Sequence, residues 1–220
     1  MSKDYLDLFG LIDGTMIPIK GVTGDDEPAY ICRKGFPAIN CQVVVGPDGE
    51  FRDAVIRYPG SCHDSYIFNN SSLKRVLEQD LTAGFLFGDS GYALSSIMMT
   101  PFPNPSTPAA TYFNEVQSKT RSAVERSIGR LKSRWRCLHS SGGALQYEPE
   151  NCCKIIFACI ILENLCISSG TEDFDDDGSD DDTDDRDHPE VQEVEARQPN
   201  QTHLCITKRL EIANFLYANH

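Results

Sequence analysis

Three acidic residues in separate short motifs could together bind a divalent metal ion. Asp13 lies in Ile-Asp-Gly-Thr, Asp89 in Phe-Gly-Asp-Ser-Gly-Tyr and Glu125 in Arg-Ser-Ala-Val-Glu-Arg, with 35 residues between the last two. Mg²⁺ and Mn²⁺ prefer carboxylate and water oxygens and also bind substrate phosphates. Two such ions ~3.5–4 Å apart can stabilise the attacking and leaving oxygens of a phosphodiester. The three carboxylates therefore suggest a metal-dependent nuclease.

Each acid also has a plainer interpretation. Asp13 and Asp89 each stand beside glycine and could be turn residues whose side chains cap the backbone. Glu125 follows Arg121 by four residues, the spacing of an ordinary ion pair on a helix surface. A fourth acid, Asp64, opens a predicted helix, where it is either an N-terminal acid or an accessory residue of an active site. The ordered set of motifs is more informative than any one of them.

The predicted helix around Glu125 carries cations on two sides. At about 100° per residue, Arg121, Glu125 and Lys132 fall within about 40° of one another. Arg121 and Lys132 are therefore candidate accessory residues that steady the carboxylate or a phosphate. A second stripe could grip DNA phosphates or simply be a solvated helix face. Its members are Lys119, Arg126, Arg130 and Arg134.

The order of apolar patterns predicts an α/β fold with three layers, in which helices flank a mixed sheet. A strand runs through Asp13, and a short buried strand ends just before Asp89. Because strand ends and one helix face can converge on a single cleft in such sheets, the three acids are expected to meet. The other predicted elements are a hairpin over residues 39–58, a helix over 63–79, a proline-rich loop over 98–110, and helices over 115–136, 148–166 and 202–217.

The negative charge is concentrated in one segment. The chain has a net charge of −13, but residues 171–197 hold 14 of its 33 acids and only two arginines. Low hydrophobicity and high charge predict disorder there. The organisation expected is a folded domain over 1–170, an acidic disordered segment over 171–200, and a C-terminal helix over 201–220 that docks on the core.

The cysteines indicate a reducing compartment and no zinc site. There are nine, an odd number, without a CxxC pair or a signal peptide. Free thiols and no zinc site are therefore expected. The apolar run over 155–167 is interrupted by Glu163 and Asn164, which favours a core helix over a membrane span.

At this point the residues resemble a known family, the PIF/Harbinger transposases and their domesticated relatives, the Harbinger transposase-derived nucleases. The similarity extends from Asp13 to Leu165. The matching pieces are Asp-Gly-Thr-Met-Ile-Pro-Ile at 13–19, Arg-Lys-Gly-Phe-Pro-Ala-Ile-Asn at 33–40, Pro-Gly-Ser-Cys-His-Asp-Ser at 59–65, Gly-Asp-Ser-Gly-Tyr at 88–92 and Arg-Ser-Ala-Val-Glu-Arg-Ser-Ile-Gly-Arg-Leu-Lys at 121–132.

The resemblance implies an RNase H-like fold and a DDE endonuclease in which Asp13, Asp89 and Glu125 are the catalytic, metal-binding triad. It further implies a divalent cofactor (Mg²⁺ or Mn²⁺), DNA as substrate, a Myb-like partner protein, and a location in the nucleus with a possible cytoplasmic pool. No membrane association is expected.

Several departures accompany the resemblance. Met16 and Glu163 each stand where the family usually has histidine, and Ser118 takes the place of a signature tyrosine. Only twelve residues precede Asp13, where relatives carry a helical region with a helix-turn-helix-like part. Two alternatives to the nuclease therefore stay open. One is a catalytically inactive nuclear scaffold that binds a Myb-like partner or chromatin; the other is a remnant that does not fold stably.

Overall fold

A five-stranded mixed sheet forms the centre of the computed structural model, which describes residues 8–171 and 199–220. The strand order is β3-β2-β1-β4-β5; β2 pairs antiparallel with both β1 and β3, whereas β4 and β5 run parallel to β1. The strands are β1 (Leu8–Pro18), β2 (Ala38–Val45), β3 (Phe51–Pro59), β4 (Phe85–Phe87) and β5 (Met98–Met99). The predicted hairpin and the strand through Asp13 are both present.

The helices differ from the predicted ones in two places. They are α1 (Glu27–Tyr30), α2 (Asp64–Asn69), α3 (Ser72–Gln79), α4 (Pro108–Arg134), α5 (Pro149–Ser168) and α6 (Pro199–Ala218). The single helix predicted over 63–79 is wrong, because Ser71 starts a second helix by accepting a hydrogen bond from the Lys74 amide at 3.1 Å. The loop predicted over 98–110 is wrong at both ends. Met98 and Met99 pair with β4, and Pro108 begins α4, where a missing amide hydrogen costs little.

Alternating side chains of β2 contact two separate helical layers. Cys41, Val43 and Val45 pack into a core with side chains of α4 and α5. Val44, on the opposite face, packs with side chains of α2 and α3. Since successive residues of a strand point to opposite faces, one buried strand joins both cores. The predicted three-layer α/β architecture is confirmed.

Two polar residues anchor α5. The fully buried Glu163 accepts hydrogen bonds from Arg130 and Arg134 of α4, each Nε at 2.9 Å, and from the Trp135 indole at 3.1 Å. The Asn164 amide exchanges two hydrogen bonds of 2.8 Å with the backbone of Phe51 in the edge strand β3. These two residues, which interrupt the apolar run, therefore tie α5 to the helix layer and to the sheet.

The helix α5 also meets the length and composition of a membrane span. The expectation of a core helix came from the interrupted apolar run over 155–167, whereas the helix itself covers 20 residues. Core helices of soluble proteins pass the same test, so length and composition alone decide nothing here.

The C-terminal helix α6 packs along α4. Arg209 inserts its guanidinium between the helix and the sheet, where Nη1 donates to the carbonyls of Thr100 and Pro101 and the group lies 4.0 Å from the centre of the Phe102 ring. The disorder predicted for 171–200 falls almost entirely on residues outside the described ranges; Pro199 and Asn200 belong to α6. All nine cysteines are free thiols.

Candidate active site

The pairing of β1 with β4 brings Asp13 and Asp89 together. The parallel register places Leu11 beside Phe87, and each acid follows two residues later. Side chains two residues apart in extended chain point to the same face. Both carboxylates are thus directed to the face covered by α4, Asp13 from the middle of β1 and Asp89 from the turn after β4.

Asp13 is held in an environment that disfavours its charge. The pKa of Asp13 is raised from 3.8 to about 7, mainly by burial and to a smaller extent by the charges of Asp64 and Asp89. The positive charge of Arg121 is the strongest influence in the opposite direction, followed by the hydrogen bond that the Gly14 amide donates to Oδ1 at 2.9 Å. Asp13 is therefore an acid that a nearby cation would stabilise.

Arg121 links the other two acids of the predicted triad. Its Nε lies 3.2 Å from Oε1 of Glu125, one helical turn later, and its Nη1 lies 4.0 Å from Oδ2 of Asp89. The second oxygen of Asp89 accepts a hydrogen bond of 2.9 Å from the Gly91 amide, so this residue also caps its own turn. Asp89 and Glu125 consequently contact one guanidinium, whose charge also acts on Asp13.

Asp64 approaches the site from the opposite layer, at the start of α2. Asn40 donates to its Oδ1 at 2.7 Å, and Gln42 donates to its backbone carbonyl at 2.8 Å. A Cβ atom at Gly14 would lie 2.5 Å from both carboxylate oxygens of Asp64. The lack of a side chain at Gly14 is what allows this carboxylate to sit directly above the strand beside Asp13.

Sequence reasoning missed three polar residues that support the acids. The buried Tyr92 phenol accepts a hydrogen bond from Gln42 at 3.0 Å. The pKa of Tyr92 is raised well above its ordinary value by burial first and then by the charges of Asp64, Asp13 and Asp89. Gln117 of α4 donates to the Gly88 carbonyl at 2.7 Å and so fixes α4 to the segment that carries Asp89. Asn40 and Gln42 are polar residues inside the otherwise apolar strand β2, and this pattern could have indicated that they support a polar site.

The predicted accessory and DNA-binding residues are placed unequally. Arg121 and Asp64 adjoin the acids, but Lys132 is buried near Cys41. The pKa of the Cys41 thiol is raised to about 12, because burial outweighs the opposite influence of the Lys132 charge. Within the basic stripe, Arg130 and Arg134 are engaged by Glu163, because α5 packs on that side of α4. Only Lys119 and Arg126 of the stripe remain exposed.

The donor chemistry of the site suits Mg²⁺ or Mn²⁺. Carboxylate oxygens from three segments are the ligands these ions prefer, and the acids already share a single cation, the Arg121 guanidinium. Within residues 8–171 and 199–220, however, no three Asp, Glu, His or Cys side chains stand close enough together to hold a metal ion as arranged. The carboxylates are of the type that binds Mg²⁺ or Mn²⁺, but their spacing in this structure is that of ion pairs with Arg121.

The strand order, the mixed sheet and the helices on both faces define an RNase H-like domain. The DDE superfamily endonuclease family matches this chain over residues 12–164, well over half its length. The chain therefore belongs to the DDE superfamily endonucleases, and the family resemblance drawn from the motifs is confirmed.

Curated relatives carry names that agree with this family. The chain is 37% identical over 166 residues to "Putative nuclease HARBI1" of Mus musculus, covering 75% of this chain and 47% of that protein. It is 36% identical over 166 residues to the Homo sapiens protein of the same name, again covering 75% and 47%. "Protein ALP1-like" of Arabidopsis thaliana is 27% identical over 154 residues, covering 63% and 37%.

The chain thus spans about half the length of the curated relatives named HARBI1. No solved structure matches it at a significant level.

Proposed function

We propose that this protein is a divalent-metal-dependent DNA endonuclease in which Asp13, Asp89 and Glu125 bind the metal. The observation that carries the proposal is the convergence of these three carboxylates, from β1, the turn after β4 and α4, on one cation. Membership of the DDE superfamily endonucleases and the nuclease names of the relatives support the same activity.

The reaction is hydrolysis of a phosphodiester. A bond forms between a water oxygen and phosphorus, the bond from phosphorus to the 3′-oxygen breaks, and that oxygen takes up a proton. Bound Mg²⁺ or Mn²⁺ would lower the pKa of the attacking water and neutralise the leaving oxygen. The chain's own part is to hold three carboxylates on a sheet and on the helix packed against it, with hydrogen bonds from Asn40, Gln42 and Gln117 fixing their surroundings.

DNA contacts are proposed for the exposed cations of α4. Lys119 and Arg126 are on the solvent side of the helix that carries Glu125 and can bind phosphates by charge alone. Asp64 is proposed as an accessory carboxylate because it lies beside Gly14 and Asp13. A Myb-like partner and a nuclear location are proposed from the family resemblance. Co-purification would test the partner, and microscopy of the tagged chain would test the location.

The test is nicking of supercoiled plasmid DNA in Mn²⁺, with wild type compared with Asp89→Asn. The substitution removes one ligand charge and should abolish cleavage while leaving the far-ultraviolet circular dichroism unchanged. Asp48→Asn, in the exposed turn between β2 and β3, removes the same charge far from the site and should cleave like wild type. Cleavage should also disappear when EDTA replaces Mn²⁺.

The scaffold alternative makes the opposite prediction. Arg121 already neutralises the acids without a metal, which is the observation that favours it. A folded wild-type protein that neither binds Mn²⁺ nor cleaves DNA, alone or with a Myb-like partner, would establish the scaffold in place of the nuclease.

A further inference from the structure

We propose that Arg121 occupies the cation position of the carboxylate site and has to leave it before a divalent metal ion can bind. The inference rests on the proposed function in one respect, namely that Asp13, Asp89 and Glu125 are metal ligands. It adds that the metal-free site is held together by a competing cation that belongs to the chain.

The contacts of Arg121 define this position. The guanidinium is within ion-pair distance of Glu125 at 3.2 Å and of Asp89 at 4.0 Å. It is also the charge that most strongly favours ionised Asp13. A single group therefore contacts two acids of the triad, which come from the turn after β4 and from α4.

Charge balance explains why a cation is needed there. Asp89 and Glu125 both lie within ion-pair distance of the same guanidinium, so their two negative charges are close together and repel each other. Arginine stays protonated at all pH values at which the protein folds, so it supplies a permanent positive charge. Without Arg121 or a metal ion, the acids would have to take up protons or move apart.

The same contacts make Arg121 and a metal ion mutually exclusive. A metal ion would need oxygens of at least two acids at about 2.0–2.6 Å, whereas the planar guanidinium stands between Asp89 and Glu125 at ion-pair distances. This agrees with the absence, among the described residues, of three metal-binding side chains at suitable spacing. Closing the carboxylates around a metal ion requires the guanidinium to move out.

Arg121 is able to move. A third of its side chain is exposed, and its partner Glu125 is 55% exposed. Ion pairs this accessible contribute little to stability, so their exchange for a metal ion is feasible. After displacement, the side chain still projects from α4 one turn before Glu125. Its guanidinium is suited to bind a DNA phosphate through two parallel hydrogen bonds.

The experiment is isothermal titration of Mn²⁺ into the full-length chain, comparing wild type with Arg121→Gln. Glutamine keeps much of the side-chain length without the charge. If Arg121 competes with the metal, Arg121→Gln should bind Mn²⁺ about tenfold more tightly. A residue with a merely structural role would change affinity in the other direction, because its loss would loosen the ligands.

Two matched variants complete the design. Arg126→Gln removes the same charge from the same helix, at an exposed residue that is not the ion-pair partner of Asp89 or Glu125. Its Mn²⁺ affinity should therefore stay within about twofold of wild type, a change of ~0.4 kcal/mol. The double variant Asp13→Asn, Asp89→Asn measures cation binding by the acidic segment, which is subtracted from every titration. Arg121→Lys keeps a charge and should fall between wild type and Arg121→Gln.

The outcomes separate the two proposals. Tighter binding in Arg121→Gln alone supports the inference, even if no variant cleaves DNA. Equal or weaker binding in Arg121→Gln overturns it, even if wild type cleaves DNA in an Asp89-dependent way. Equal tightening in Arg121→Gln and Arg126→Gln also overturns it, since general electrostatics would then be sufficient. No binding in any variant overturns it as well, because removing the competitor should have exposed the site.

Discussion

Asp13 is an acid whose ionisation opposes folding. Its pKa rises from an ordinary value of 3.8 to about 7 because it is buried beside two other carboxylates. Between these values the folded protein keeps a proton that the unfolded chain has lost. The folded state therefore binds more protons, so the contribution of Asp13 to stability decreases as the pH rises from about 4 to 7.

Replacing this acid should stabilise the metal-free protein at high pH. We expect Asp13→Asn to raise the free energy of unfolding by about 1–4 kcal/mol at pH 8, given ~1.4 kcal/mol per pKa unit. At pH 4.5, where Asp13 is largely protonated in the folded state, the effect should fall to about a quarter of its value at pH 8. Urea denaturation in EDTA measures both values. The interpretation fails if the variant changes stability equally at the two pH values, or if Asp48→Asn shows the same pH dependence.

Gly14 should tolerate no side chain. In Gly14→Ala the new methyl group would meet the Asp64 carboxylate at 2.5 Å. We expect a loss of about 1–3 kcal/mol, as for other overpacked sites. Gly129→Ala is the matched control, because a Cβ there meets nothing within 4 Å and alanine is the better helix residue. That control should gain about 0.5–1 kcal/mol. Similar effects of the two substitutions on urea denaturation would show that Gly14 is not constrained by Asp64.

The contact between α4 and α5 depends on one buried acid. Glu163 is fully buried, while the side chains of Arg130 and Arg134 are 22% and 7% exposed. Glu163→Ala leaves two guanidinium groups without their carboxylate, and we expect a loss of about 3–5 kcal/mol. The triple variant Glu163→Leu, Arg130→Met, Arg134→Leu should recover most of it, since no unpaired charge is left.

An exposed ion pair provides the comparison for Glu163. Glu78 pairs with Lys74 at 3.9 Å and its side chain is 51% exposed. Glu78→Ala should cost at most about 1 kcal/mol. Thermal and urea denaturation of all the variants would test the ranking. A small effect of Glu163→Ala would mean that apolar packing alone holds α5 on α4.

Elements with a local signal were predicted better than elements without one. The hairpin has a Gly-Pro-Asp-Gly turn between two β-branched strands, and the structure places β2 and β3 there. Asn70-Ser71 is a sequence typical of a helix end followed by a helix start, but the helical spacing of apolar residues continues across it and led to the prediction of one helix. The two-residue strand β5 had no local signal in the sequence, because it is a strand only through its pairing with β4 across an irregular segment.

The charge of the protein is divided between a nearly neutral domain and one acidic segment. Apart from residues 171–197, the chain has 19 acids and 18 bases. The acids of that segment repel DNA phosphates wherever they come within a Debye length, which is about 10 Å at 0.1 M salt. The segment should therefore weaken DNA binding by Lys119 and Arg126.

Removing the charges of the acidic segment should strengthen DNA binding. A chain in which residues 172–197 are replaced by an uncharged Gly/Ser sequence of equal length should bind duplex DNA several-fold more tightly at ~50 mM salt. The difference should shrink at 300 mM, because salt screens the repulsion. Fluorescence anisotropy over a salt series measures both affinities. Equal affinities at low salt would show that the segment does not act on DNA binding.

The sequence by itself determined the fold class and the family, and it predicted which acids form the site. Strand alternation, glycines beside Asp13 and Asp89, and helical spacing around Glu125 are local patterns, and local patterns follow from backbone geometry. The pairing of Arg121 with Glu125 was visible for the same reason, since four residues span one helical turn.

Only the tertiary structure decided which charges meet. Helical periodicity grouped Arg130 and Arg134 with Lys119 and Arg126, but the packing of α5 directs the first two to Glu163. The register of β1 against β4 places Asp89 beside Asp13 and within reach of Arg121. Such contacts join residues far apart in the chain. They form because the burial of apolar faces sets how the helices pack on the sheet, and this packing sets the positions of the polar residues on the same elements.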